Sequence, residues 1–169
     1  MTGLALDHLT AVDAGPMELV SAAAEAGCDA ICLFMEPMAV LPHMPAFDLY
    51  GDAAQRRALR SHMAALNIGL DLAYPFTLAG RTHVADLEPA LACAAELGAK
   101  LVNALVYDRD SQRRLDNFGA FSDLAEKHGL GVALEFYPVS QIPSLSAALA
   151  LVQAVGRPQR VGVNVDLLH

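Results

Sequence analysis

The chain of 169 residues has no tryptophan, three cysteines, and only 11 lysine and arginine residues against 19 aspartate and glutamate residues. The formal charge of −8 argues against a nucleic-acid backbone or an anionic membrane as the main partner, because both attract clustered basic side chains. No apolar run reaches the roughly 18 residues of a membrane-spanning helix, and the N-terminus lacks the basic and apolar regions of a signal peptide. We therefore expect a globular protein that binds neither nucleic acid nor a membrane.

The three cysteines, Cys28, Cys32 and Cys93, are odd in number and lie in apolar segments. Buried, reduced thiols are the expected state, and they indicate the cytoplasm, where disulfides are rare. The close spacing of Cys28 and Cys32 lacks a second Cys or His pair of the kind that completes a zinc finger. We therefore expect no structural zinc at these cysteines.

Short apolar runs alternate with helical patterns along the whole chain. Residues 84–98 and 144–155 carry apolar side chains at intervals of three or four, which is the spacing of one helix face. Gly15-Pro16 precedes the first predicted helix, and a glycine follows the first, third and fourth helices. The strand-like runs are residues 3–9, 29–34, 68–74, 100–107, 130–136 and 160–166. This pattern predicts one domain over residues 1–169, in which six strands alternate with five helices.

Two architectures place helices over parallel strands, the open doubly wound sheet and the TIM barrel. The doubly wound fold needs a glycine-rich phosphate loop after its first strand, and the segment DHLTAVDAGP contains no G-x-G-x-x-G. The barrel instead places polar residues at the C-terminal ends of several strands. Such residues are His8, Glu36, Tyr74, Tyr107, Glu135 and Asp166. We therefore predict an α/β fold of the (β/α)8 TIM-barrel type. Six strands make up about three quarters of a barrel, which takes about 250 residues.

The fifth and sixth predicted strands each end on an acidic residue. Gly131, Ala133 and Glu135 share one face of the fifth strand, and the same alternation puts Asn164 and Asp166 on one face of the sixth. Because these strands should be neighbours, their carboxylates would repel each other unless a cation lies between them. A divalent ion is the simplest answer, since oxygen ligands suit Mg²⁺ or Mn²⁺. Loop caps or ion-pair partners are the alternative interpretation.

The segment ALEFYP, followed by SLSAALALVQAVGRPQRVGVNVDLLH, resembles the xylose isomerase-like TIM barrels of the sugar phosphate isomerase/epimerase family. That family typically has Leu-Glu-x at its fifth strand, a helix ending near Gly-x-Pro, and Asp-x-x-His at its sixth strand. The segment AAELGAKLVNAL resembles its third helix and fourth strand. The resemblance covers nearly the whole chain, but its informative motif is confined to residues 131–169.

The resemblance implies a divalent metal (Mn²⁺, Mg²⁺, Co²⁺ or Zn²⁺) bound by Glu135, Asp166 and His169. It also implies that His169 contacts the substrate in some branches. The metal would steady an enediolate formed from a small sugar or polyol, and Glu135 would remove and return the proton. The implied activity is therefore a sugar (phosphate) isomerase or epimerase of carbohydrate metabolism, or a related dehydratase that acts on polyols or inososes.

The chain departs from the family at the last two strands. In the family, a histidine from the seventh strand and a glutamate from the eighth complete the metal site, and neither strand is present in this sequence. We therefore expect a weak metal site and an inactive chain when it stands alone. Six strands would also leave two open edges, which recruit further strands. We accordingly expect either that the protein continues past His169 or that it forms a homo-oligomer.

The other polar strand ends are candidates for substrate binding. They are His8, Glu36, Tyr74 and Tyr107, for which turn capping or half-buried packing is the alternative. Asp71 and Asn103 lie within predicted strands, where the pattern does not decide between an inner and an outer face. Two groups of basic residues are interpreted as exposed helix faces. They are Arg56, Arg57 and Arg60, and then Arg113 and Arg114.

Two other functions are weighed against the isomerase. An apurinic-site endonuclease of the same barrel type would need histidines at the ends of the third and fourth strands, where this chain has Tyr74-Pro75 and Val106-Tyr107. A non-catalytic barrel that binds a partner or self-associates is the remaining alternative. A metal-binding measurement separates it from the enzyme.

Overall fold

The computed structural model describes residues 3–168. In these residues six strands alternate with five α-helices, as the sequence predicts. The strands are β1 (Ala5–Asp7), β2 (Ala30–Phe34), β3 (Gly69–Leu78), β4 (Ala99–Val106), β5 (Gly131–Glu135) and β6 (Val161–Asn164). The helices are α1 (Pro16–Glu25), α2 (Ala53–Leu66), α3 (Glu88–Leu97), α4 (Ser111–Lys127) and α5 (Leu145–Val155). Two short 3-10 turns cover His8–Ala11 and Val84–Leu87.

The six strands form one sheet in chain order, from β1 to β6. The prediction of parallel pairing is confirmed wherever the register is defined. Ala5 of β1 lies opposite Ala30 of β2, and Glu135 of β5 lies opposite Asn164 of β6. Because parallel neighbours in register direct their side chains to the same face, this pairing fixes which strand-end residues can meet.

Only β2 ends where the sequence predicts. β1, β4 and β5 end one or two residues early, so that His8 lies in the 3-10 turn after β1, and β3 and β6 differ as follows. β6 ends at Asn164 rather than at Asp166, so the second carboxylate of the predicted pair lies in the turn that follows the strand. β3 runs on to Leu78 rather than ending at Tyr74. Its extension is supported by a hydrogen bond from the Tyr107 N–H to the Leu78 carbonyl (2.8 Å).

The helix ends follow the local signals in the sequence. α1 begins at Pro16. Proline is well suited to this position, because a backbone N–H in the first turn of a helix has no acceptor within the helix and proline has no N–H. Gly27, Gly98 and Gly129 follow α1, α3 and α4 with φ of 75°, 86° and 77°. This left-handed conformation is strained for residues with a Cβ. The predicted glycine stops are therefore confirmed.

The structure divides into two compact units. Of the described residues, 3–74 and 93–100 form the first unit, and 75–92 and 101–168 form the second. Leu19, Ile31, Leu33 and Leu59 are almost fully buried in the first unit. In the second unit the core includes Phe118, Phe121, Val132 and Leu134, and the rings of Phe76 and Phe121 pack with centroids 5.6 Å apart.

The predicted exposure of the two basic groups on the helices is confirmed for Arg57, Arg60 and Arg113, whereas Arg56 and Arg114 are partly buried. Arg56 pairs with Glu96 (Nε to Oε2, 2.8 Å), and its side chain is only 16% exposed. Arg113 is half-exposed but forms an ion pair that the sequence did not indicate. Among the described helices, none has both the length and the apolar character required to cross a membrane.

Candidate active site

The second unit brings a buried amide and a carboxylate together where β4 and β5 run side by side. Asn103 lies opposite Ala133, and therefore on the same sheet face as Glu135, two residues further along β5. The Asn103 side chain is 3% exposed, and its Nδ2 donates a hydrogen bond to Glu135 Oε2. A carboxylate that accepts such a bond is restricted in orientation.

β6 adds two more polar residues beside this pair. Asn164 is the register partner of Glu135. Asp166 follows two residues later, where its Oδ1 accepts a hydrogen bond from the Leu168 N–H (2.8 Å). This contact is a side-chain turn of the kind that aspartate commonly forms, so Asp166 caps its own loop. The alternative interpretation of Asp166 as a loop cap is therefore confirmed for Oδ1, and it does not exclude metal binding by the same carboxylate.

Tyr107 and Tyr137 belong to the same neighbourhood. Burial raises the pKa of Tyr107, and the nearby Tyr137 and the charge of Glu135 raise it further. The loop that carries Tyr137 is tied down at two points. The Tyr137 N–H donates to the Ile142 carbonyl (2.9 Å), and the Gln141 N–H donates to the Val106 carbonyl at the end of β4 (3.1 Å). Two phenols and a carboxylate thus occur together in this part of the second unit.

A buried ion pair holds the loop after β4. Asp108 is 1% exposed, and Arg113 grips it with two hydrogen bonds, Nε to Oδ2 (2.6 Å) and Nη2 to Oδ1 (2.7 Å). The guanidinium holds the pKa of Asp108 below its usual value. Gly80, in the loop after β3, lies beside this pair, and a Cβ there would be 3.0 Å from Arg113 Nη2. The pair fixes the residue that follows Tyr107.

In the first unit, His8 is fully buried and both of its ring nitrogens have backbone partners. The Phe34 N–H donates to Nδ1 (3.3 Å), which leaves Nε2 to donate to the Ala14 carbonyl (3.0 Å). The ring also packs against Phe34 and Phe47, with centroids 5.5 Å and 6.2 Å away. Burial lowers the pKa of His8 below its ordinary value. A neutral imidazole that joins three segments is the result.

Tyr74 and Asp7 form a second closed pair in the first unit. The Tyr74 hydroxyl donates to Asp7 Oδ1 (2.7 Å), which also accepts the Leu9 N–H (2.8 Å). Tyr74 is 8% exposed, and burial, followed by the Asp7 charge, raises the pKa of its phenol. Cys32 is the register partner of Asp7, and burial raises the pKa of its thiol to about 12. This thiol is therefore protonated at neutral pH.

Glu36 is exposed in the loop after β2. Its charge contributes to the raised pKa of Tyr50, after the larger effect of burial, so these two side chains are neighbours in the first unit. His169, the third predicted metal ligand, lies outside the described residues.

The described residues of the second unit include some of the donors that a divalent metal binds. Glu135 and Asp166 offer carboxylate oxygens of the kind that hard divalent cations take, and Mg²⁺ sites often use only one or two carboxylates together with water. No group of three or more His, Cys, Asp or Glu side chains that could hold a metal ion occurs in residues 3–168. The described residues thus suit a divalent metal in donor type but provide only part of a complete ligand set.

Sequence reasoning identified Glu135 and Tyr107, which the structure brings into one neighbourhood. It did not identify three partners of these and other polar residues. They are Asn103 for Glu135, Asp7 for Tyr74 and Asp108 for Arg113. The register of β4 against β5 was the missing information for Asn103, because a polar residue inside a strand can face either side. An acidic residue directly before a strand-end histidine was the only available signal for Asp7.

The matches to known proteins are to structures and to a family model. No curated protein matches the sequence. One similar structure is a D-psicose 3-epimerase crystallised in the presence of D-fructose, at 15% identity and a TM-score of 0.72 over 96% of this chain and 62% of the other. A second is the probable 3-DHS dehydratase AsbF of petrobactin synthesis from Bacillus anthracis, at 16% identity and a TM-score of 0.76 over 99% of this chain and 64% of the other.

A third similar structure is the IOLI protein with a bound zinc atom, at 19% identity and a TM-score of 0.71 over 96% of this chain and 62% of the other. This chain thus spans a little under two thirds of the length of each of the three proteins. At these identities the likeness establishes the fold, and the predicted TIM-barrel type is confirmed. The family model that matches residues 20–169 is the xylose isomerase-like TIM barrel, and the chain belongs to that family.

Proposed function

We propose that this protein is a divalent-metal-dependent isomerase or epimerase of a small sugar or sugar phosphate, and that Glu135 is its catalytic acid/base. The observation that carries the proposal is the buried Asn103 amide that donates to the Glu135 carboxylate at the end of β5. Glu135 is partly exposed, so a ligand can reach its carboxylate while Asn103 orients it. The similarity to a sugar epimerase supports the substrate class.

The proposed chemistry is the transfer of one proton. Glu135 accepts the proton from the carbon next to the sugar carbonyl, and the electrons of the broken C–H bond form a carbon–carbon double bond while the carbonyl oxygen takes up charge. In isomerisation the proton returns to the former carbonyl carbon, and the hydroxyl proton of the first carbon passes to the former carbonyl oxygen, so that the carbonyl moves by one carbon. In epimerisation the first carbon is reprotonated from its opposite face, which requires a second acid, a side chain or a water molecule, on that face. Tyr107, as a neighbour of Glu135 with a raised pKa, remains protonated at neutral pH and would serve as a hydrogen-bond donor to a sugar oxygen.

Glu135 and Asp166 would hold the metal, and His169 remains the predicted third ligand. A bound divalent ion would polarise the sugar carbonyl and so acidify the adjacent C–H group. The zinc in the IOLI structure supports a metal in this family, with Mn²⁺, Mg²⁺ and Co²⁺ as the other candidates. The substrate contacts of His8, Tyr74 and Glu36 stay predictions. The ring nitrogens of His8 and the hydroxyl of Tyr74 have partners within the chain, so a substrate contact at either residue would have to replace those hydrogen bonds. A cytoplasmic location is part of the proposal and is supported by the three free cysteines.

A dehydratase is the second candidate function. It is favoured by the similarity to the probable dehydratase AsbF and needs the same carboxylate, because loss of water from a polyol also begins with removal of a proton next to a carbonyl. A non-catalytic barrel that self-associates is the alternative if no proton transfer occurs.

The test is hydrogen exchange on D-fructose in D₂O with added Mn²⁺, followed by NMR and mass spectrometry. Deuterium at C1 identifies an isomerase, deuterium at C3 identifies an epimerase, and loss of water identifies a dehydratase. We expect Glu135→Gln to slow incorporation at least about a hundredfold, as for loss of a general base. Glu126→Gln is the matched control, because Glu126 is an exposed carboxylate on α4 that faces Arg160 at 3.6 Å.

The outcomes separate the candidates. Incorporation by the wild-type chain and the Glu126 variant, but not by the Glu135 variant, supports the proposal. Equal rates in all three proteins would remove Glu135 from the mechanism. No incorporation by the wild-type chain, together with no Mn²⁺ binding at Glu135 and Asp166, would favour the non-catalytic alternative.

A further inference from the structure

Asn103 is unusual among the buried side chains of the second unit. It lies in the middle of β4, a position normally filled by an apolar residue in a parallel sheet that is covered on both faces. Its neighbours Val102 and Ala104 are fully buried. Asn103 itself is 3% exposed, so its amide has left water completely.

Only half of this amide is satisfied. Nδ2 donates to Glu135 Oε2, whereas Oδ1 is buried and has no hydrogen-bond partner among the described residues. A buried polar atom without a partner destabilises a fold, and natural structures keep few of them. An apolar side chain at this position would avoid that cost, so stability alone does not explain the asparagine.

The contact with Glu135 does explain it. Asn103 and Glu135 share one sheet face across two adjacent strands, and strands hold side chains more precisely than loops do. Glu135 is the last residue of β5, where the strand itself places few restrictions on the χ angles of a long side chain. The Asn103 amide, fixed in β4, favours those Glu135 rotamers in which Oε2 accepts its hydrogen bond.

We propose that Asn103 is a positioning residue, which holds the Glu135 carboxylate in one orientation for the reaction at a cost to the stability of the fold. The inference rests on the proposed function of Glu135. It assigns to Asn103 no contact with the substrate. It predicts that removal of the amide frees the Glu135 side chain while the protein stays at least as stable as before.

The experiment measures the Glu135 side chain directly and needs neither metal nor substrate. Three-bond NMR couplings from Glu135 Cγ to the backbone nitrogen and carbonyl carbon report whether its χ1 angle occupies one rotamer or several. The proteins are the wild-type chain, Asn103→Leu and Asn103→Asp. Asn117→Asp on α4 is the matched control, and Glu135→Gln assigns the signals. Thermal unfolding of each protein is recorded in parallel.

We expect couplings of a single rotamer in the wild type and in the Asn117 variant. In both Asn103 variants the couplings should move at least halfway towards the average of the staggered rotamers. The Asn103→Leu variant should unfold at or above the wild-type temperature, because it removes the unpartnered Oδ1. A merely structural asparagine would instead give a lower unfolding temperature and unchanged Glu135 couplings, and this result would overturn the proposal.

The wild-type protein provides a test that does not depend on any variant folding. One Asn103 side-chain amide proton should lie downfield of the corresponding Asn117 protons and exchange more slowly with solvent. The absence of that difference would overturn the proposal. Because none of these readouts involves catalysis, a fixed Glu135 whose replacement leaves the rate of hydrogen exchange on the sugar unchanged would refute the proposed function while the positioning contact stands.

Discussion

The polar strand ends of the first unit and those of the second differ in what their hydrogen-bonding groups contact. In the first unit, both nitrogens of His8 bind backbone groups and the Tyr74 hydroxyl binds Asp7. In the second unit, Glu135 is partly exposed and accepts a hydrogen bond from the Asn103 amide, whose own oxygen has no partner among residues 3–168. The first arrangement satisfies buried groups, whereas the second accepts an unsatisfied atom in order to fix a carboxylate. Polarity at a strand end therefore does not by itself indicate a functional residue.

The largest effect on stability is expected from loss of the His8 ring. His8→Ala removes two hydrogen bonds and the contacts with Phe34 and Phe47, so we expect the free energy of unfolding to fall by roughly 2–4 kcal/mol. Urea denaturation measures this change. His83→Ala, at an exposed position, should change it by less than about 0.5 kcal/mol. Equal effects of the two substitutions would show that His8 does not organise the first unit.

The pH dependence of stability should follow from the same histidine. Because burial lowers the pKa of His8 in the folded protein, the unfolded chain binds the proton more readily. Stability is therefore fully present above the ordinary histidine pKa of about 6.5 and falls as the pH drops below it, by at most about 1.4 kcal/mol per pH unit for one proton. The loss ends at the lowered pKa of the folded state.

The control for this pH effect is His8→Gln, which keeps a side-chain donor but does not titrate. Subtracting its stability profile from that of the wild type removes the contributions of the other five histidines. A difference that does not change between neutral pH and pH values below about 6.5 would contradict the assignment of a neutral, buried His8.

A smaller effect is expected from the Tyr74–Asp7 pair. Tyr74→Phe keeps the ring that packs 4.3 Å from Phe34 and removes only the hydrogen bond, so we expect a loss of about 1 kcal/mol in unfolding free energy. Tyr50→Phe is the control, because Tyr50 is 38% exposed and should lose almost nothing. If Tyr74→Phe lowered sugar binding without lowering stability, the contrast between the two units would fail.

Much of the fold could be predicted from the sequence because its signals are local. The alternation of β and α patterns gives parallel strands, and the glycines after α1, α3 and α4 mark helix ends through their backbone conformation. Asp166 was assigned to the last strand because Val161, Val163 and Val165 alternate, yet the strand ends at Asn164. Periodicity of two cannot show where pairing with β5 stops.

The contacts of the candidate site are less predictable because they depend on register and on distant segments. Asn103 reaches Glu135 only because it pairs with Ala133. The partners of His8 are the Ala14 carbonyl and the Phe34 N–H. Because every residue type other than proline has both backbone groups, the sequence cannot indicate which of them a side chain will bind. Glu135 could be predicted, because an acidic residue that ends a buried apolar strand is conspicuous in any reading of the chain.

The location of Mn²⁺ on the chain tests the central claim, that the β5 and β6 ends of the second unit form the functional site. Mn²⁺ added in small amounts broadens the NMR signals of nearby residues. We expect the backbone signals of Glu135, Asn164 and Asp166 to broaden first, and Asp166→Asn to require at least about tenfold more Mn²⁺ for the same effect. Asp123→Asn, which removes an exposed carboxylate that pairs with Arg157, should leave it unchanged. Broadening that begins at exposed carboxylates such as Asp123, and is unaffected by Asp166→Asn, would contradict the claim.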